Sequence, residues 1–68
     1  MEGDIRFNWE AIVEEAIKRR KASHLTQSQV AVLANVSKPT VIRFEKKETS
    51  IRLQSAIAIL KLFGLFEK

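Results

Sequence analysis

The chain has 68 residues, the size of one small domain, and its 46% hydrophobic and 29% charged residues are typical of a folded globule. It contains no Cys, which excludes disulfides and thiolate metal sites. No apolar run approaches the roughly 18 residues that cross a bilayer, and the acidic first residues are unlike a secretory signal. We therefore expect a cytoplasmic protein.

Charge is unevenly distributed along the chain. Residues 1–17 carry one cation against five anions, a net charge of −4, whereas residues 18–52 carry nine cations against two anions, a net charge of +7. Such segregation favours contact between a polyanion and the middle of the chain, with the acidic segment facing away. The alternative is a solvated basic face without a partner.

The first predicted elements are an arm and a helix. Residues 1–8 include a stretch of alternating apolar and polar side chains, which favours a short extended arm. Asn8 is a suitable N-cap, and apolar residues then recur at the spacing of one helical face from Trp9 to Ile17. We expect this helix to end near Ala22.

Two further caps predict two short helices in quick succession. Thr26 begins the second helix, and Asn35, a residue that tolerates the left-handed conformation, ends it. Ser37 then caps the third helix, with Pro39 in its first turn, where a missing N–H is harmless. The second helix is expected to pack through Val30, Leu33 and Ala34.

The third helix is predicted to have one packed and one exposed side. At 100° per residue, Val41, Phe44 and Glu45 fall on the packed side. The nearly opposite side holds Lys38, Pro39, Ile42, Arg43 and Lys46. Residues 26–46 thus combine two helices, a short turn and a basic exposed face. This helix-turn-helix motif allows its second helix to enter a groove about 12 Å wide.

A fourth helix is expected from Arg52 to Phe63, with Gly64 as its C-cap. Its core-filling stripe is predicted to be Leu53, Ala56, Ile57, Leu60 and Phe63. Apolar residues outside that stripe would form an exposed patch, and such patches usually mark an interface. We expect a twofold homodimer through Ile59, Leu62, Leu65 and Phe66.

The chain resembles the lambda-repressor-like (Xre-type) helix-turn-helix family over roughly residues 9–65. The matching residues are Leu25-Thr26-Gln27, Val30-Ala31, Leu33-Ala34, Val36-Ser37, Thr40-Val41, Arg43-Phe44-Glu45, Leu53, Ile57, Leu60 and Phe63-Gly64-Leu65. The resemblance implies an all-α, compact domain of four to five helices over residues 1–68, which binds double-stranded DNA. Asn35 and Lys47 stand where the family commonly has Gly, and Ile51-Arg52 replaces a Pro-Ser pair.

The resemblance also implies roles for individual residues. Lys38, Pro39 and Arg43 occupy positions that project into the major groove, and Thr40 occupies one that meets phosphate. Gln27 is at a position that contacts phosphate or supports the reading helix. The resemblance further implies an ion pair between Arg20 and Glu45.

The chemistry of these side chains predicts how DNA is contacted. Arg43 can bond guanine O6 and N7 together, Lys38 is a second base reader, and Pro39 and Ile42 offer apolar contact to a thymine methyl. Phosphate ligands are expected at the helix starts after Thr26 and Ser37. Further charge contacts are expected from Arg19, Lys46, Lys47 and Arg52. Alternatively, Lys46 and Lys47 complement a helix C-terminus.

The sequence thus predicts a transcriptional regulator, most simply a repressor, that binds a palindromic operator as a homodimer and associates with the nucleoid. The alternative is an antitoxin or protein-interaction module that binds a toxin or another protein through the C-terminal apolar patch. We expect no enzymatic activity, metal, cofactor or membrane contact. The chain has no Cys or Tyr, a single His and no Gly-rich phosphate loop.

Overall fold

The computed structural model describes residues 8–66, which form four α-helices. These are α1 (Trp9–Ala22), α2 (Gln27–Ala34), α3 (Lys38–Glu45) and α4 (Leu53–Leu62). No strand occurs in this part of the chain, so the predicted all-α class is confirmed. The arm predicted for residues 1–8 lies outside the described residues, apart from Asn8.

Three helices begin at the side-chain caps that the sequence predicts. Asn8 Oδ1 accepts the amide N–H of Ala11 at 3.0 Å, and Ser37 Oγ accepts that of Thr40 at 3.2 Å. Thr26 and Gln29 form a reciprocal capping box, with distances of 3.0 and 2.8 Å between side chain and backbone. Each cap satisfies N–H groups that a helix start leaves without intrahelical partners.

A left-handed residue follows the last residue of each helix by one or two positions, with His24 at φ 59° after α1. Asn35 closes α2 at φ 59° and ψ 45°, and Gly64 follows α4 at φ 71°. Lys47 adopts φ 68° just after α3, where a residue with a Cβ is strained by roughly 1–2 kcal/mol. Asn35 and Lys47 are the two positions at which the family that this chain resembles commonly has Gly, and both have a positive φ.

All four helices contribute to one hydrophobic core. Its buried residues are Val13, Ala16, Val30, Ala31, Val41, Phe44, Ile59 and Leu60. Trp9 packs edge-on against Phe44, with 5.5 Å between ring centroids, and its Nε1 donates to the Lys47 carbonyl at 3.2 Å. These contacts fix the end of α3 against the start of α1.

The predicted packing of α2 and α4 was wrong at three residues. Leu33, which was predicted to be in the core, is 57% exposed, whereas Ala31 is buried there. Leu53 is also exposed, whereas Ile59, predicted to lie in a dimer interface, is only 1% exposed. The buried positions on α4 are Ala56, Ile59 and Leu60, so the packed face is rotated from the predicted stripe. Leu53, as the first residue of α4, lies beyond the edge of the core.

The burial of Ile59 reduces the predicted C-terminal patch. Leu62 and Leu65 are partly buried against the core, and Phe66 is exposed. Ile59 cannot contact a second subunit from the core, so the interface predicted there is incorrect at that residue.

Candidate nucleic-acid interface

The exposed side of α3 is open to solvent. Lys38, Pro39 and Arg43 are exposed and Ile42 is half-buried, while Val41 and Phe44 on the other side are buried. Ile42 follows Lys38 by four positions and Arg43 follows Pro39 by four, so these two pairs share one side of the helix, which we call the reading face. Burial of the opposite side of α3 in the core thus directs two cations, a proline and an isoleucine toward solvent.

The two cations of the reading face are in no ion pair with the part of the chain that the structure describes. Within residues 8–66 the ion pairs are Glu15–Arg19, Arg20–Glu45 and Glu14–Lys47. Lys38 and Arg43 take part in none of them. Their charges therefore remain available to an external anion or to base acceptors.

A side-chain network ties the end of α3 to α1 and α2. Arg20 Nε and Nη2 donate to the two Glu45 oxygens at 2.6 and 3.1 Å, and Arg20 Nη1 donates to the Leu25 carbonyl at 2.9 Å. Gln27 Nε2 donates to Glu45 Oε1 at 2.9 Å. The Arg20 and Glu45 side chains are only 13% and 12% exposed. The ion pair implied by the family resemblance is thus present, and Gln27 supports α3.

The helix starts offer different numbers of backbone donors. At the start of α2, Thr26 Oγ1 accepts the Gln29 N–H, and the N–H groups of Gln27 and Ser28 have no partner within the helix. At the start of α3, Pro39 has no N–H and the Thr40 N–H is bonded to Ser37, so the Lys38 N–H alone is left. The start of α2 is therefore the richer site for a phosphate.

The Ser37 and Thr40 hydroxyls form a pair, with Oγ and Oγ1 2.8 Å apart. One hydroxyl donates to the other, which leaves one O–H free to donate outward. Both residues were predicted as phosphate contacts, and they lie together at the first turn of the reading helix. Their contact with DNA stays a prediction.

Two of the four predicted phosphate cations are bound within the protein. Arg19 donates to Glu15 Oε2 at 2.9 Å and to the Phe63 carbonyl at 2.8 Å, and the Arg19 hydrogen bond lowers the pKa of Glu15. Lys47 Nζ donates to Glu14 Oε2 at 2.7 Å, and this hydrogen bond raises the pKa of Lys47. Lys46 and Arg52 are exposed and take part in no ion pair of the described residues.

The sequence placed backbone phosphate donors at the starts of both α2 and α3, but it gave no sign of the pairing of Lys47. The donors follow from the cap at Thr26, whose hydroxyl accounts for the Gln29 N–H and leaves those of Gln27 and Ser28. The contact between Glu14 and Lys47 joins residues 33 positions apart, and no local pattern indicates it.

Comparison with known families agrees with this geometry. The model of the Helix-turn-helix family, of the lambda-repressor (Xre) type, matches residues 17–65. The chain belongs to this family, whose members are DNA-binding regulators of transcription. None of the curated proteins compared with the chain matches it. Among residues 8–66, no helix has the length and apolar character of a membrane span.

Removal of Arg20 tests the network that positions α3. In Arg20→Ala the mostly buried Glu45 carboxylate keeps only Gln27, so we expect the free energy of unfolding to fall by about 3 kcal/mol. The neighbouring variant Arg19→Ala breaks an exposed pair and should lose about 1 kcal/mol or less. Urea denaturation followed by circular dichroism measures both, and equal losses would contradict a special role for Arg20.

Proposed function

We propose that this protein is a sequence-specific repressor of transcription that inserts α3 into the major groove of double-stranded DNA. The observation that carries the proposal is the reading face, on which Lys38 and Arg43 are exposed and free of ion pairs while the back of the helix is packed. An α-helix fits the major groove, where each base pair presents a distinct pattern of donors and acceptors.

Base recognition follows from the chemistry of the reading face. The Arg43 guanidinium bonds guanine O6 and N7 as a fork, which is worth about 1–3 kcal/mol of discrimination against other bases. Lys38 donates to a second guanine or to a neighbouring acceptor. Pro39 and Ile42 have apolar surfaces suited to a thymine methyl group. The preferred site therefore contains G and T.

Phosphate groups anchor the domain on either side of the reading face. The N–H groups of Gln27 and Ser28 bind one phosphate at the start of α2, where the helix dipole adds a favourable potential. The Ser37 and Thr40 hydroxyl pair donates to another. Lys46 and Arg52, whose charges are free, add ionic contacts, whereas Arg19 and Lys47 remain in their internal pairs.

The operator is expected to be palindromic and bound by a homodimer. A twofold dimer presents two reading helices, and half-sites one helical turn apart place them about 34 Å from each other. A bound dimer represses transcription when it occupies DNA that another protein requires. A surface that binds DNA and a surface that joins two copies are therefore sufficient for repression.

Arg43→Ala tests base recognition. Selection of bound sequences from random duplexes should yield a defined site for the unaltered protein, and the variant should lose preference at one base position at a cost of about 1–3 kcal/mol. Lys61→Ala, which removes an exposed cation from α4, should keep the same ranking of sequences. An Arg43 variant with unchanged ranking would instead favour a protein-binding module such as an antitoxin.

The salt dependence of DNA binding tests the division between free and paired cations. With about six phosphate contacts, the slope of log K against log salt concentration is expected near −5. Lys46→Ala should reduce its magnitude by about 1 because a free charge is removed. Lys47→Ala should change it less because Glu14 already neutralises this ammonium. The opposite order would show that Lys47 leaves Glu14 to bind phosphate.

A further inference from the structure

The outward side of α2 is apolar. Val32 is 79% exposed and Leu33 57% exposed, and together with Leu25, Ser28 and Gln29 they line a shallow groove. We call these five residues the α2 outer face. Neither Val32 nor Leu33 packs against the core, whose α2 residues are Val30 and Ala31. They therefore point away from the core.

The α2 outer face lies in the longest stretch of the chain without charge. Residues 22–37 are sixteen consecutive positions that include none of the 20 charged side chains of the protein. In a chain with 29% charged residues, a solvated helix normally carries Lys or Glu on its outward side. Adjacent exposed apolar residues without charge are instead typical of a contact surface.

We propose that a second copy of this chain docks on the α2 outer face, so that two molecules meet through α2. In a twofold dimer the same patch meets itself, and any charge near the axis faces an identical charge. The protein carries a net charge of +4, so a neutral patch is the surface through which two copies approach without such repulsion. The inference moves the dimer contact from Ile59, which is in the core, to Val32 and Leu33.

A dimer of this kind is compatible with DNA binding. The reading face is on α3 and shares no residue with the α2 outer face. Ser28 lies at the first turn of α2, whereas Val32 and Leu33 lie about one turn further along, so a contact centred on these two side chains leaves the Ser28 N–H to a phosphate. The inference thus goes beyond the proposed repressor by naming the surface through which its two copies meet.

Leu53 offers the comparison that makes the proposal specific. It is 75% exposed, nearly as much as Val32, but it follows Arg52 directly. A symmetric contact there would bring two arginines together. Leu53 is therefore a control position, because it is apolar and about as exposed as Val32 but lies outside the proposed dimer contact.

The experiment is sedimentation velocity over a concentration series up to about 50 µM, at about 0.15 M salt to screen long-range repulsion. The unaltered protein should be dimeric at the upper end. Val32→Lys should raise the dimer dissociation constant about tenfold or more, because it brings two ammonium groups together at the contact. Leu53→Lys, with the same added charge, should change the constant less than about twofold. Circular dichroism checks that both variants fold.

A mixing experiment tests whether the patch meets itself. Val32→Lys and Val32→Glu should each dissociate alone, and their equimolar mixture should recover a dimer because opposite charges then face each other. No recovery would overturn the twofold arrangement. A protein that is monomeric throughout the series, or a stronger effect of Leu53→Lys, would overturn the proposal and leave the α2 outer face for a different protein.

Failure of this inference can be distinguished from failure of the proposed function. Arg43→Ala should lose sequence preference but sediment as the same dimer. Val32→Lys should sediment as a monomer but keep the sequence preference of the unaltered protein on a duplex that carries one half-site. A dimer with no sequence preference would contradict the proposed function alone.

Discussion

The position of α3 depends on the ion pair between Arg20 and Glu45. Both Glu45 oxygens accept from Arg20, and one of them also accepts from Gln27, so the last residue of α3 is fixed to α1 and to the start of α2. Because these side chains are largely screened from water, loss of one partner would leave a costly unpaired charge. Phe44, next to Glu45, is buried in the core. The two residues together fix the orientation of α3, so its opposite side faces outward.

The same division between paired and free charges organises the basic surface. Two carboxylates of α1, Glu14 and Glu15, bind Lys47 and Arg19, so these cations are neutralised within the protein. Lys38 and Arg43 on α3 have no such partner among residues 8–66. The charge excess of residues 18–52 therefore overstates how many cations can reach a phosphate.

Local signals predicted the helices and their ends. A cap such as Thr26 bonds to residues three positions away, and the left-handed Asn35 closes a turn within its own helix, so both are encoded nearby. The face that α4 buries was predicted incorrectly because it depends on how α4 meets the other helices, which brought Ile59 rather than Leu53 into the core. The reading face was predictable because Val41 and Phe44 fall on one side of α3 and its cations fall on the other, a division that the spacing within one helix encodes.

The most direct test of the account is an NMR titration of the labelled protein with its selected duplex. We expect the largest amide shifts at Gln27 and Ser28 and along residues 38–43, with intermolecular contacts between the Arg43 side chain and bases of the major groove. Shifts concentrated on the acidic side of α1 or on α4, with residues 38–43 unchanged, would contradict the claim that α3 reads DNA.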